Sequence, residues 1–277
     1  MKFAYEDAEL FYETHGAGRP LVLLPGQPSN HVSLARFIEP VFAQRAGWQR
    51  IYLDLPGTGQ STGGERLATV EQTLDALLAF IDAVIPGQRF TLAGLSYGGY
   101  LARGIIHRRA ASVDGLLLCV PLIKADETQA QLPPRTPIVE NPALLAQLPP
   151  NQKGIAEALV VAQTPPVIAA TRQMLTDETS IADHAFLGRM EAAGGFSFDV
   201  DALPAPFEEP TLILTGRQDN VCGYRDAWEL LANYPRATFV TLDRAGHLAT
   251  FEQEALCHAL IGEWLDRVEE GSQQVGD

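Results

Sequence analysis

The chain has 277 residues, 46% of them hydrophobic, and a formal charge of −14. This length and hydrophobic content predict one large domain with a full core and exclude an intrinsically disordered chain. No apolar run approaches the roughly 20 residues of a membrane span, and the negative charge disfavours nucleic acids and anionic membranes as partners.

The N-terminus and the cysteines predict a cytoplasmic protein. Residues 1–7 are charged and lack the apolar stretch of a signal peptide. Cys119, Cys222 and Cys257 are scattered singly, without a CxxC pair. This pattern favours reduced, buried and unreactive thiols.

Strand and helix patterns alternate along much of the chain, which predicts the α/β class, with a mostly parallel central sheet flanked by helices. Several strand patterns are continuous apolar runs, typical of strands buried on both faces. The polar residues 269–277 are expected to be frayed. Strands are predicted at 2–15 (two short strands), 20–24, 50–55, 89–94, 113–120, 211–215 and 237–242, and helices at 31–45, 69–85, 97–109, 224–233 and 251–268.

The alternation stops between residues 121 and 210, a stretch rich in Pro, Ala and Gln. We interpret it as a helical insertion after the sixth strand of a single domain, whose core comprises residues 1–120 and 211–277. Helical patterns in the insertion lie near 141–147, 152–162, 166–176 and 181–193.

Residues 94–98 (Gly-Leu-Ser-Tyr-Gly) fit the pattern G-x-S-x-G between a predicted strand and a predicted helix. The glycines are needed because side chains beside so tight a turn would collide with neighbouring backbone. The turn would expose the Ser96 hydroxyl at the carboxyl end of the sheet, where open α/β sheets bind ligands. We predict that Ser96 is a nucleophile; the alternative is an ordinary glycine-rich turn.

A serine hydroxyl needs a base within hydrogen-bond reach. Of the six histidines, His247 stands in the loop after the last predicted strand, again at the carboxyl end of the sheet. We predict that His247 is this base. His31, near the loop after the third strand, is its competitor; it could also orient substrate, or cap the helix that begins there.

The base needs a carboxylate that holds its tautomer. Asp219 follows the penultimate strand, and the resulting order of serine, acid and histidine accompanies the G-x-S-x-G turn. We predict that Asp219 is the acid. Asp226, on the next predicted helix, and Asp243, at a strand end, are less well placed.

An attacked carbonyl develops negative charge on its oxygen, which two preorganised N–H donors would stabilise. The backbone N–H of Tyr97 is one predicted donor. The other is the backbone N–H of Gln27, which follows Gly26 in the loop after the third strand.

Five segments together resemble the α/β-hydrolase superfamily, in its small esterase, meta-cleavage hydrolase and proline iminopeptidase-like branch. The likeness runs from about residue 10 to residue 265, apart from the insertion, and implies that residues 121–210 form a helical lid (cap) over the substrate pocket. Relatives that open epoxides or remove halide use aspartate at the nucleophile position, so Ser96 argues against both activities. The segments are 25–28 (Pro-Gly-Gln-Pro), 54–61 (Asp-Leu-Pro-Gly-Thr-Gly-Gln-Ser), 94–99, 216–219 and 245–247.

One departure from the resemblance concerns the oxyanion loop. Many relatives have His-Gly where this chain has Pro25-Gly26. That histidine usually props the loop, so the change affects the geometry of the loop and not Ser96, Asp219 or His247.

The predicted reaction is a two-step acyl transfer through an acyl-enzyme on Ser96. The sequence contains no HExxH motif, no P-loop and no dinucleotide fingerprint, so we expect neither a metal nor a cofactor. The expected partner is a small-molecule acyl substrate, and we expect a monomer or a homodimer. Candidate substrate contacts are Gly26, His31 and Arg217.

The sequence leaves the substrate open. A carboxylester is the default. An aminopeptidase would need an acid in the insertion, a hydrolase of ring-fission dienoates would need an arginine such as Arg217 or Arg103, and a cofactor-free perhydrolase would share the same three residues. Outside enzymes, the alternative is a hydrolase-fold receptor or ligand-binding protein with little turnover. The candidate acids are Glu140, Glu157 and Glu191.

Overall fold

The computed structural model describes residues 1–178 and 182–273, which contain one eight-stranded sheet. The strands are β1 (Lys2–Tyr5), β2 (Ala8–His15), β3 (Arg19–Leu24), β4 (Trp48–Leu53), β5 (Phe90–Leu95), β6 (Val113–Cys119), β7 (Thr211–Gly216) and β8 (Ala237–Leu242). Their order is β1-β2-β4-β3-β5-β6-β7-β8. β2 is antiparallel to β1 and β4, and the remaining pairs are parallel.

Helices flank this sheet, so the predicted α/β class with a mostly parallel sheet is confirmed. The α-helices are α1 (His31–Phe42), α2 (Val70–Val84), α3 (Tyr97–Arg109), α4 (Pro142–Leu145), α5 (Pro150–Leu159), α6 (Pro165–Glu178), α7 (His184–Ala193), α8 (Arg225–Glu229), α9 (Ala249–Glu252) and α10 (Glu254–Gln273). Short 3₁₀ helices cover Ala110–Ser112, Glu127–Gln129 and Leu230–Ala232.

Side chains alternate between the two faces of a strand, and helices cover both faces of this sheet, so the apolar strands are buried on both faces. In β3, Val22 and Leu24 belong to the hydrophobic cluster formed with α2 and α3, whereas Leu21 and Leu23 belong to the cluster formed with α1 and α10. The two layers of helices therefore explain why this strand reads as a continuous apolar run.

The carboxyl ends of β3, β5, β7 and β8 meet at one edge of the sheet because these strands are parallel. Chain segments leave this edge after Leu24, Leu95, Gly216 and Leu242. The four segments on which the sequence analysis relied therefore begin close together.

Residues 121–210 lie between β6 and β7 and contain α4 to α7; we call them the inserted segment. Its helices coincide with the predicted helical patterns, but α5 ends at Leu159, after which residue 162 pairs with residue 139 in a short parallel bridge. Residue 181, where the last predicted pattern begins, lies outside the described residues. The role of the segment as a lid remains a prediction.

The inserted segment has a small hydrophobic cluster of its own, which reaches the last strand's loop. Val160 and Ile168 belong to this cluster, and so does Leu248, which follows the predicted base in sequence. The segment is therefore packed against the loop after β8.

The C-terminal helix differs from its prediction. The expected frayed tail is wrong for residues 269–273, which continue α10, while 274–277 lie outside the described residues. Glu269 explains the difference, because its carboxylate accepts hydrogen bonds from Arg45 Nη1 at 2.6 Å and Trp48 Nε1 at 2.8 Å.

Arg103 on α3 is fully buried, and its guanidinium is paired. Nε donates to Asp201 Oδ1 at 2.8 Å, Nη2 donates to Asp201 Oδ2 at 2.6 Å, and Nη1 donates to the Leu122 carbonyl at 2.8 Å. A bidentate arginine–carboxylate pair of this kind fixes direction as well as distance. It ties α3 to both ends of the inserted segment.

The variant Asp201→Asn is expected to lower the free energy of unfolding by about 3 kcal/mol, because it leaves the buried charge of Arg103 unpaired. This loss is at the low end of the range expected for breaking a buried ion pair, because the Asp201 side chain is 24% exposed. Urea denaturation measures the change. The exposed neighbour Asp199 provides the control, Asp199→Asn, with an expected change within about 0.5 kcal/mol; equal losses in both variants would contradict the prediction.

Within the described residues, no helix is both long enough and apolar enough to cross a bilayer.

Candidate active site

Ser96 occupies a strained turn between β5 and α3. Its φ of +50° and ψ of −116° are unusual for a residue with a side chain, and such strain costs about 1–3 kcal/mol. The turn depends on glycines: a side chain at Gly94 would collide with the Gly98 carbonyl, and one at Gly98 would collide with the Leu24 carbonyl. The tight packing of β5, α3 and β3 therefore directs Ser96 out of the sheet edge.

Of the three residues predicted to act together, His247 lies within hydrogen-bond distance of both Ser96 and Asp219. His247 Nε2 is 3.1 Å from Ser96 Oγ, and His247 Nδ1 is 3.0 Å from Asp219 Oδ2. Because one ring nitrogen faces the carboxylate and the other faces the hydroxyl, the imidazole can carry its proton on Nδ1 and accept a proton at Nε2. This geometry suits proton removal from Ser96.

Both oxygens of Asp219 are used, although the residue is fully buried. Oδ2 faces His247, and Oδ1 accepts hydrogen bonds from the backbone N–H groups of Val221 at 2.8 Å and Cys222 at 2.9 Å. The loop itself is tied to the histidine loop, because the Gln218 N–H donates to the Ala245 carbonyl at 2.9 Å. The carboxylate is thus held in a fixed orientation towards the imidazole.

The residues that carry the predicted oxyanion donors lie in the two chain segments next to Ser96. Tyr97 is the first residue of α3, so its backbone N–H has no partner within the helix. Gln27 lines the cavity beside Ser96, and a side chain at Gly26 would approach Ser96 Cβ to 3.1 Å. The loop after β3 therefore runs directly against Ser96.

A cavity of about 210 Å³ opens on Ser96 and His247. Helices α1, α5 and α6 supply apolar side chains to its wall, and so does the loop after β8. Among the wall residues that the structure describes, none is Asp, Glu, Lys or Arg, and His247 is the titratable group. The wall comprises Gly26, Gln27, Pro28, Ser29, Ser33, Leu34, Phe37, Leu95, Ser96, Ile155, Leu159, Met174, Leu175, His247, Leu248, Thr250 and Phe251.

Comparison with known proteins identifies the family. Residues 21–259 match the model of the alpha/beta hydrolase family. The chain belongs to this family. The match covers every strand from β4 to β8, together with the segments that carry Ser96, Asp219 and His247.

Individual relatives of this hydrolase agree with the assignment. The AB hydrolase superfamily protein YisY of Bacillus subtilis (strain 168) is 25% identical, over 94% of this chain and 96% of the relative. An alpha/beta superfamily hydrolase from Oenococcus oeni PSU-1 superposes with a TM-score of 0.86 at 26% identity, covering 97% and 99% of the two chains. A thermophilic esterase from Thermogutta terrifontis gives a TM-score of 0.67 at 24% identity over 94% of each chain, a likeness that supports the fold alone.

In this hydrolase the pKa of His247 lies well above the usual 6.5. Burial acts to lower the pKa, but the charge of Asp219, the neighbouring Cys222 and the hydrogen bond from Nδ1 together raise it by more. The imidazolium form is thus favoured by its surroundings, which suits a group that must hold a proton during a reaction.

Catalytic efficiency is expected to fall as the pH drops through the pKa of His247, because only the neutral imidazole can accept the Ser96 proton. The acid limb of kcat/KM for p-nitrophenyl butyrate should have its midpoint above 6.5. A midpoint below that value would contradict the raised pKa. A profile with no acid limb would contradict the role of His247 as base.

His31, which the sequence offered as a substrate contact, is not among the described residues of the cavity wall. Its Nδ1 is 2.8 Å from Asp54 Oδ1, and its backbone N–H donates to the same oxygen at 2.7 Å. The ring packs on Phe11 with 4.9 Å between the ring centroids. His31 therefore holds the start of α1 against the end of β4, and its candidate role in substrate binding stays a prediction.

The two arginines considered for a substrate carboxylate are also engaged elsewhere. Arg217 is exposed and stacks on Tyr224, with 4.5 Å between its guanidinium carbon and the ring centroid. Arg103 is paired with Asp201. Neither belongs to the described cavity wall, whereas Gly26 does.

Cys222 is buried, as predicted, and it lies beside the nucleophile. Its sulfur is 3.9 Å from Ser96 Oγ. One ligand atom each from Asp219, Cys222 and His247 lie within 4.8 Å of one another, a donor set that suits Zn²⁺. The carboxylate and the imidazole already bind each other there, so this arrangement is accounted for without a metal.

The sequence analysis did not identify Glu252. It lies five residues after His247 and accepts hydrogen bonds from the backbone of the histidine loop and of the inserted segment. The available signal was an acidic residue shortly after the predicted base, but the hydrogen-bond partners of Glu252 could not be predicted from the sequence.

Proposed function

We propose that this protein is a serine hydrolase that cleaves esters of small, uncharged, apolar molecules through an acyl-enzyme on Ser96. The observation that carries the proposal is the hydrogen-bonded series Asp219, His247 and Ser96, of which His247 and Ser96 line a cavity whose described wall is mostly apolar. A serine hydroxyl, a base and an orienting acid together are the requirements for nucleophilic acyl transfer.

Each step of the reaction can be assigned to an atom. Ser96 Oγ attacks the ester carbonyl while His247 Nε2 takes its proton, and the N–H groups of Tyr97 and Gln27 stabilise the oxyanion. The alcohol leaves with the proton that His247 returns, which gives the acyl-enzyme. A water molecule then loses a proton to His247 and attacks the acyl carbonyl, and the acid is released as the proton passes back to Ser96.

The cavity supports an ester over the other hydrolase substrates left open by the sequence. An aminopeptidase needs an anion to hold the substrate amine, and a dienoate hydrolase needs a cation to hold the substrate carboxylate. Neither kind of charge occurs among the described wall residues. Burying an unpaired substrate charge there would be costly, so neutral substrates fit best.

The cavity volume supports short or medium chains. A cavity of about 150 Å³ holds one benzene molecule, and the cavity beside Ser96 measures about 210 Å³. An acyl or alcohol group somewhat larger than benzene therefore fills the space. Long-chain fatty esters would exceed it.

Labelling with a fluorophosphonate, followed by peptide mass spectrometry, tests the nucleophile. We expect one adduct, on the peptide that carries Ser96. Label on another residue would overturn the assignment, and the absence of any label together with the absence of turnover would favour the receptor alternative.

A substrate panel tests the chemical class. We expect p-nitrophenyl butyrate and hexanoate to be hydrolysed faster than aminoacyl anilides or ring-fission dienoates. Preference for an aminoacyl anilide would indicate a peptidase, preference for a dienoate would indicate carbon–carbon cleavage, and peroxide-dependent perester formation that outpaces hydrolysis would indicate a perhydrolase. Each of these outcomes would replace the ester proposal.

A further inference from the structure

Glu252, the last residue of α9, bridges two chain segments with one carboxylate. Its Oε2 accepts a hydrogen bond from the Gly246 N–H at 2.6 Å. Its Oε1 accepts hydrogen bonds from the N–H groups of Val161 at 2.7 Å and Ala162 at 3.0 Å. The two oxygens thus serve different parts of the chain, which are separated by more than eighty residues in sequence.

One side of this bridge is the backbone that leads into the base. Gly246 directly precedes His247, so a hydrogen bond to the Gly246 N–H limits how the His247 peptide can turn. The imidazole must stay 3.1 Å from Ser96 Oγ to accept its proton. A misplacement of about 1 Å in such a group can cost about 10²-fold in rate.

The other side of the bridge is the inserted segment, immediately after α5. This helix supplies Ile155 and Leu159 to the cavity wall. The carbonyl of Val161 accepts hydrogen bonds from the N–H groups of Ile138 at 2.7 Å and Val139 at 3.0 Å, so the bridge extends deeper into the segment. Holding residues 161 and 162 therefore holds the end of the helix that faces the substrate.

The two sides also touch directly. A side chain at Gly246 would come within 3.1 Å of Val161 Cγ1, so the loop and the segment are in close contact at this point. Backbone N–H groups at such a contact need acceptors, and a carboxylate binds them more strongly than a neutral group does. Burial raises the pKa of Glu252 while its three N–H donors act to lower it, and the nearby charge of Asp219 also raises it.

We propose that Glu252 is a positioning residue that fixes the base and the apolar wall of the cavity as one unit. The inference rests on the proposed ester hydrolysis, in which His247 is the base and α5 faces the substrate. Glu252 touches neither substrate nor the reacting atoms in this role. It acts on the rate through Gly246 and on substrate affinity through Val161 and Ala162.

The variant Glu252→Gln tests this role. The glutamine amide group has about the same size, but one of its two ends donates, so it cannot accept hydrogen bonds on both sides. We expect kcat per active site to fall by up to about 10²-fold. We also expect KM to rise more for p-nitrophenyl hexanoate than for the acetate, because the longer acyl group reaches the wall formed by α5.

Glu254→Gln is the matched control, since Glu254 is an exposed acid two residues further along the chain. It should behave as the wild type does. Active sites are counted from the end point of fluorophosphonate labelling, so loss of folded protein does not count as loss of kcat. Unchanged kcat per labelled site in Glu252→Gln, with only a lower melting temperature, would show a structural role and overturn the proposal.

Amide hydrogen exchange tests the bridge without any turnover. In Glu252→Gln, exchange should become faster in peptides covering residues 158–164 and 244–248 and stay unchanged around β5. If Glu252→Gln does not fold, Glu252→Asp replaces it, because the shorter carboxylate keeps its charge but cannot reach both sides. Unchanged exchange in the folded variant would overturn the bridge, whereas absence of Ser96 labelling in the wild type would overturn the proposed function instead.

Discussion

Replacing Ser96 with alanine is expected to lower kcat for p-nitrophenyl butyrate by about 10⁶-fold, the loss that follows removal of a triad serine. Without Oγ no acyl-enzyme can form, and His247 Nε2 loses the hydroxyl that lies 3.1 Å away. The remaining rate depends on the oxyanion donors and on substrate binding, which by themselves still exceed the rate in water. Stopped-flow assays measure the fast reaction of the wild type, and long steady-state assays measure the slow reaction of Ser96→Ala.

The control for this prediction is Ser112→Ala. Ser112 ends the 3₁₀ turn that precedes β6, so it lies at the opposite edge of the sheet from Ser96. Its variant should turn over at the wild-type rate. A Ser96→Ala protein with the wild-type melting curve that hydrolyses the ester at a rate within tenfold of the wild-type rate would refute the nucleophile assignment. A tenfold difference in rate corresponds to about 1.4 kcal/mol of activation free energy.

The position of Ser96 could be predicted because the local strand and helix patterns and the expected parallel sheet place it at the same edge. Strand β5 reads as an apolar run, and α3 begins directly after the serine. The edge shared by β5, β7 and β8 then follows from the parallel pairing of neighbouring strands. Residues that follow parallel strands must meet at one edge, so Asp219 and His247 could be placed beside Ser96 from the order of elements alone.

The partners of other polar residues could not be predicted, because they depend on contacts between distant segments. His31 faces Asp54 only because the start of α1 packs against the end of β4. Arg103 meets Asp201, which lies 98 residues away at the end of the inserted segment. Neither pairing leaves a periodic pattern in the sequence, so both residues remained available for interpretation as substrate contacts.

The end of helix α5 in the inserted segment could not be predicted, for a related reason. A core strand is buried on both faces and leaves a strong apolar signal, as in β7. Helix α5 instead buries little of its surface, with Ala156 as its fully buried residue, and its end is set by the bridge between residues 139 and 162. A contact with another part of the chain therefore decides where this helix ends.

Replacing Asp219 with asparagine is expected to lower kcat by about 10⁴-fold while the protein stays folded. Asparagine preserves the size of the side chain, and its carbonyl can still accept the hydrogen bonds from Val221 and Cys222. Its amide then faces His247 Nδ1 as a donor, which favours the tautomer with its proton on Nε2. That tautomer cannot accept the Ser96 proton.

The same variant should also move the pH profile. Since the charge of Asp219 helps to raise the pKa of His247, its loss should shift the acid limb of kcat/KM to lower pH than in the wild type. The competing acids supply controls: Asp243 is exposed and Asp226 accepts hydrogen bonds from Gln131, at 2.8 Å from its backbone N–H and 3.0 Å from its side chain. Asp243→Asn should leave both kcat and the acid limb unchanged. If Asp243→Asn or Asp226→Asn shifted the limb and Asp219→Asn did not, the carboxylate that orients the base would have to be reassigned.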